Sequence, residues 1–260
     1  MKTFARKFNF YETYETASWI ESAASDKKSF IEVPWEDDKV IKALVKYSKT
    51  SILHFYIYYL LAVIKREEYR DNSCEIYPEE IDSFRKIFRN YEIRLQNEKK
   101  FDPYDDKYDE NEYFYKWFLY HENSFEILWE KITDEVFHLL FANRGFLLVF
   151  NQTLSDYLKE NRDIIPFGYR NSNGKILRAK YIPTWAKKAV YFRDQGRCVL
   201  CLKDLSGLLS TDTSIHYDHI VPLSSWGVND PCNLQLLCEK CNLKKSSNKA
   251  TTGIRYRDWW

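Results

Sequence analysis

A chain of 260 residues can bury a sizeable core without disulfide staples, and its 45% hydrophobic and 17% aromatic content with only 7 Gly and 7 Pro excludes a disordered or low-complexity protein. The formal net charge of +1 hides an asymmetry: residues 174–260 hold 14 Lys+Arg against 7 Asp+Glu, a net of +7, and residues 1–173 hold 25 against 31, a net of −6. Only the basic C-terminal part is therefore expected to meet a polyanion.

The opening stretch, MKTFARKFNFYETYETASW, has a charged start without an apolar h-region or a small-residue cleavage site, so a cytosolic chain is expected. The longest apolar run, Ile52 to Ile64, is thirteen residues and contains His54. It falls short of the roughly 20 that cross a bilayer and reads as a buried core helix. DDKVIKALVKYS, PEEIDSFRKIFRNYEIRLQNE and NSFEILWEKITDEVFHLLF repeat apolar residues at three and four, which predicts helices between about residues 36 and 163. Pro78, Glu79 and Glu80 look like a helix start. The intervening FDPYDDKYDENEYF reads as a solvated acidic loop, and His54, His121 and His138 as core or surface histidines. IPFGYRNSNGK, with Asn173 and Gly174, marks a turn and a domain boundary. It divides a helical, acidic, aromatic-rich domain over residues 1–170 from a smaller one over residues 171–260. In the smaller domain IPTWAKKAVYFRDQGRC predicts a helix capped by Thr184 and stopped by a left-handed Gly196, which delivers Cys198.

Two C-x-x-C pairs follow, Cys198/Cys201 and Cys238/Cys241. In a reducing compartment such pairs read as metal or redox sites, and two matched pairs favour one tetrahedral zinc held by four thiolates. Zinc-coupled folding supplies on the order of 10 kcal/mol, ample for a small module with little core of its own. The 36 residues between the pairs must form a substructure. TSIHYDHIVPLSSWG has the content of a strand ending at Pro222, LQLLC of a second strand, and EKCNLKKSSNK of a helix with Asn242, Lys245 and Lys249 on one face. The expected class is α+β, a mainly helical domain followed by a small zinc-stabilised β-β-α module. Cys74 and Cys232 have no spaced partner and read as free thiols, His216 reads as an exposed strand histidine, and the tail Arg255 to Trp260 is expected to pack against the fold.

The run R-D-x-G-x-C-x-x-C, then D-H-I-x-P-L, then N-L-Q-L-L-C-x-x-C-N-x-x-K, over about residues 182–249, resembles the HNH endonuclease family of ββα-metal fold. The resemblance implies hydrolysis of DNA phosphodiester bonds with a divalent metal, leaving a 5′-phosphate and a 3′-hydroxyl. It implies His219 as general base, Asp218 and Asn242 as ligands of the catalytic metal, and Asn233 as the loop asparagine that orients the base. Where many members have histidine after the last cysteine this chain has Asn242, as in the Asn-ending variants, which implies Mg²⁺ or Mn²⁺ in place of softer ions. The chemistry is consistent: imidazole can deprotonate water near neutral pH, and a cation on two hard oxygen donors can stabilise the phosphorane charge and the leaving oxygen. Successive strand residues point to opposite faces, so Asp218 and His219 can share a cleft only if the strand bulges, twists or ends there.

Lys244, Lys245, Lys249, Arg193 and Arg197 are the expected contacts to the nucleic-acid backbone. Residues 1–170 are expected to serve partner docking, self-association or regulation, and analogy with stand-alone HNH proteins points to bacterial anti-phage or restriction systems. The competing class is a zinc-stabilised nucleic-acid-binding or adaptor module, in which the cysteines matter and Asp218 and His219 do not.

Overall fold

A computed structural model describes residues 7–26, 30, 33, 35–71, 81–98, 110–207, 214–247 and 249–257. Helices dominate: α1 (Thr13–Ala24), α2 (Asp38–Val45), α3 (Ile52–Tyr59), α4 (Lys65–Asp71), α5 (Ile81–Asn90), α6 (Glu110–Tyr120), α7 (Glu122–Ala142), α8 (Arg144–Glu160) and α9 (Thr184–Arg193). One hairpin, β1 (Ile215–His219) and β2 (Leu234–Cys238), and the short helix α10 (Glu239–Lys245) follow, so the class is α+β as expected. Among the described residues no helix is long and apolar enough to cross a membrane. The apolar run is helical throughout, with a five-residue π turn, Leu60–Ile64, between α3 and α4. Pro78 to Glu80, the acidic stretch as far as residue 109, Cys74 and the final residues 258–260 lie outside the described residues.

Chain contacts divide the molecule into Met1–Ser18 with Tyr56–Phe137 and Trp19–Phe55 with His138–Trp260, not at residue 170. In the first unit an aromatic core forms where Phe125 meets Phe88 and Phe118 edge-on at 4.9 Å. The buried Glu135 carboxyl accepts from the backbone N–H of Asn9 (2.6 Å) and Phe10 (3.1 Å), the Thr13 hydroxyl (2.7 Å) and the Tyr91 hydroxyl (3.0 Å). His121 is buried beside Glu98, 2.9 Å from Nε2 to Oε1, and against the Trp117 ring, a structural role as expected.

In the second unit Asp37 caps α2, accepting from the Lys39 and Val40 amides, and Asn143 caps α8 through a 3.1 Å bond from the Phe146 amide. Residues Phe146, Leu147, Phe150, Leu154 and Leu158 recur at helical spacing and are buried. The expected turn is present, with Gly174 at φ +80 and a bridge between Arg170 and Ile176. Helix α9 starts directly after Pro183; Thr184 is its first residue and does not cap it by side chain. It ends at Arg193, and Gly196 follows at φ +62 as the sequence implied.

Asp194 is the hub of this unit. Its carboxylate accepts from Nε and Nη2 of Arg193 at 2.9 Å each and from the Leu236 amide of β2 at 2.9 Å, and lies 3.7 Å from Arg144. Arg144 in turn binds the carbonyls of Gly253 (2.7 Å) and Arg255 (2.6 Å), and its guanidinium lies over the Tyr256 ring at 4.0 Å. These contacts tie the chain to the fold at Tyr256, while the side chains of residues 254–257 remain exposed.

Candidate active site

Each cysteine pair sits on a local turn. Around the first, the Leu202 amide donates to the Cys198 carbonyl (2.8 Å) and the Cys198 amide to the Lys203 carbonyl (2.9 Å), with Leu202 in the left-handed region at φ 62. The Val199 amide donates to Leu236 of β2 at 3.0 Å, which fastens this knuckle to the sheet. Cys238 is both the last residue of β2 and the N-cap of α10, and Cys241 lies in that helix's first turn. The four sulfurs lie within 4.8 Å of one another, with Cys201 and Cys238 at 3.8 Å. A tetrahedral ion with sulfur at about 2.3 Å separates its ligands by about 3.8 Å, whereas a disulfide would need about 2.05 Å. The donor set and spacing fit structural zinc; Cys198 and Cys238 are buried in a small apolar cluster with Val199, Leu236 and Leu237, Cys241 is half-buried and Cys201 faces solvent.

The hairpin is antiparallel in unbroken register from Ile215↔Cys238 to His219↔Leu234. No bulge is needed, because β1 ends at His219, which resolves the opposite-face problem. Asp218 faces its cross-strand partner Gln235, whose amide donates to Oδ2 at 3.2 Å. Lys245 of α10 pairs with the same oxygen at 2.8 Å and donates to the His219 carbonyl at 2.7 Å. Asn242, one turn earlier on α10, lies 3.5 Å from His216 Nδ1. Asp218, His219, Asn242, His216 and Arg178 line one cavity of about 560 Å³.

His219 is 3% exposed. Burial, with Arg178 nearby, pushes its imidazole down to about 4 against the pull of Asp218, so it is neutral near pH 7. Its Nε2 lies 3.5 Å from the Tyr47 hydroxyl, and the Asn229 side chain hydrogen-bonds the ring. Asn233 does not touch the imidazole. Its Oδ1 accepts from the Val221 amide (2.8 Å), and its Nδ2 donates to the carbonyls of Val221 and Val228 (3.0 Å each), so it clamps the loop that follows His219. Gly227 belongs to that clamp: a Cβ there would lie 2.0 Å from the Val221 carbonyl and 2.9 Å from Asn233 Nδ2.

Sequence reading missed Asn229, Tyr47 and Arg178. Asn229 also ties the loop to α2 and beyond, its amide donating to Leu44 (3.1 Å) and its side chain to the carbonyls of Val45 (3.0 Å) and Leu177 (2.8 Å). Asp230, beside it, caps α3 from a distance, accepting from the Ile52 amide at 2.9 Å. An asparagine in a turn-rich loop signals only a turn; nothing local says what it will hold.

Of the basic residues expected on nucleic acid, Lys244 and Lys249 are exposed, though Lys249 lies past the end of α10 and so is not on its face. Arg197 is half-buried and reaches the Leu202 carbonyl at 3.3 Å. Arg193 and Lys245 are corrected: their side chains are each 1% exposed, consumed by Asp194 and by Asp218 respectively. A buried cation held by its carboxylate partner is not free to reach a phosphate, because removing it from that partner leaves an uncompensated buried charge.

The family model described as HNH endonuclease matches residues 198–248. Comparison with curated proteins and with solved structures finds no match for the chain. With the hairpin, the helix and the four gathered sulfurs in place, residues 198–248 match an HNH endonuclease domain with its cysteines clustered as in the zinc type, and that domain points to a nuclease-type function.

Proposed function

We propose that the protein is a metal-dependent endonuclease that hydrolyses DNA phosphodiester bonds. The observation that carries this reading is the shared cavity of Asp218, His219 and Asn242. A carboxylate and a carboxamide oxygen form the hard donor set that suits Mg²⁺ or Mn²⁺. Lys245 and Gln235 both engage Asp218 Oδ2, leaving Oδ1 as the donor to an ion. Such an ion, when bound, supplies charge stabilisation at the scissile phosphate. His219, neutral near pH 7, accepts the proton of the attacking water; Asn229 and Tyr47 hold its ring, and Asn233 holds the loop behind it. Lys244 and Lys249 are assigned to the backbone, positioning without reading sequence.

The anti-phage or restriction context is assigned by analogy, and partner docking or regulation is assigned to the acidic helical part of the chain. The test is supercoiled plasmid incubated with zinc-loaded protein. Mg²⁺ or Mn²⁺ is expected to produce nicks and breaks, omission of the ion to prevent them, and Asp218→Ala or Asn242→Ala to abolish them at unchanged zinc content. Cutting by both variants at the wild-type rate would overturn the reading.

A further inference from the structure

A second cavity, of about 440 Å³, adjoins the first. Arg178 lines both, and Tyr47, which lines the second, also lies 3.5 Å from His219 Nε2. Its size is that of a small-ligand pocket. Beside the aliphatic Val45, Leu177, Ala179 and Pro183, the wall carries aromatic rings and cations: Tyr169 and Tyr181, 37% and 72% exposed, with Lys46 and Lys180 beside them, and no acidic residue among the described lining. Lys46 sits over the Tyr169 ring at 5.0 Å and so occupies one of its faces, whereas Tyr181 offers a ring that the fold leaves largely in solvent. All these residues lie outside the stretch that matches the HNH model, on the segments before α3 and before α9.

Rings that stack on any base, set among cations that meet phosphate, form a platform for an unpaired strand. A paired base has both faces covered by its stacked neighbours and cannot offer one to Tyr181. We propose that this cavity receives an unpaired nucleotide next to the scissile phosphate, with Tyr181 stacking on its base and Arg178 and Lys180 meeting the flanking phosphates. The nuclease would then favour single-stranded, gapped or flapped DNA over continuous duplex. This inference rests on the nuclease reading for its choice of ligand.

The test is binding of a short fluorescein-labelled single-stranded oligodeoxynucleotide, and of the matching duplex, by the full-length zinc-loaded protein without added Mg²⁺ or Mn²⁺. Tyr181→Ala is expected to weaken single-strand binding roughly 5- to 100-fold and to leave duplex binding unchanged. Tyr181→Phe, which keeps the ring, is expected to bind as wild type. Unchanged single-strand affinity in Tyr181→Ala, an equal loss on both oligonucleotides, or no binding of the single strand by wild type would overturn the proposal. Cleavage is scored separately. A protein that cuts plasmid while Tyr181→Ala binds normally loses the pocket and keeps the nuclease; the selective binding loss without any cutting does the reverse.

Discussion

Asp230 offers a stability experiment whose size follows from the structure. The carboxylate is fully buried, with Oδ2 accepting from the Ile52 amide (2.9 Å) and Oδ1 from the Cys232 amide (2.7 Å). Burial pushes its pKa up from 3.8 to about 6 in spite of those two bonds. A raised acid binds its proton more tightly in the folded state, so its contribution to stability is fully present below the unfolded value and is lost as pH rises through the folded one. Each unit is worth about 1.4 kcal/mol. At a pH of about 8 both states are ionised and the term is zero; at about 5, one unit under the folded value, the folded protein gains about 1.4 kcal/mol. Asp230→Asn cannot titrate, and its amide can accept from only one of the two backbone N–H groups, which adds a pH-independent loss of about 1–3 kcal/mol. Urea unfolding of both proteins at the two pH values isolates the titration, since effects common to both cancel in the difference. The wild type is expected to gain about 1.4 kcal/mol on the variant between pH 8 and pH 5. A flat difference, or one of opposite sign, would refute the burial of an ionised carboxylate at this position.

Other substitutions test the remaining joints. Asp194→Ala leaves Arg193 buried without its carboxylate and is expected to cost about 3–5 kcal/mol by chemical denaturation, whereas Lys244→Ala is expected to stay within about 0.5 kcal/mol and weaken DNA binding instead. Metal analysis is expected to find one Zn²⁺ for the four cysteines, and chelation or Cys238→Ser to unfold the hairpin and α10, seen as lost amide protection there; full protection in zinc-free protein would remove the metal from the fold. Gly227→Ala is expected to slow cleavage and lower the melting temperature, because the added methyl has to displace the Val221 carbonyl or the Asn233 amide.

What the sequence disclosed and what it withheld divide by range of interaction. LQLLC is β2 residue for residue, the turn at Asn173 and Gly174 is real, and the C-x-x-C pairs do converge, because each of these rests on local propensity or on ligand spacing. The compact units were not legible. The bonds that bring residues 44–52 into one unit with the HNH segment, from Asn229 to Leu44 and Val45 and from Ile52 to Asp230, join positions nearly two hundred apart in the chain and leave no mark on hydrophobic period. Composition also misassigned Arg193 and Lys245. Charge type says surface, but Asp194 and Asp218 supply the counter-charges that let both side chains be buried. Asn233 was recognised from its motif, and its action on the backbone, with Asn229 on the imidazole, could be read only from coordinates.

The central claim is that His219 activates water in the cavity it shares with Asp218 and Asn242. Single-turnover cleavage in saturating Mg²⁺ by His219→Ala, at wild-type zinc content and melting temperature, measures it directly. A loss of about 10²- to 10⁴-fold is expected for a missing general base; a rate within a few-fold of wild type would contradict it.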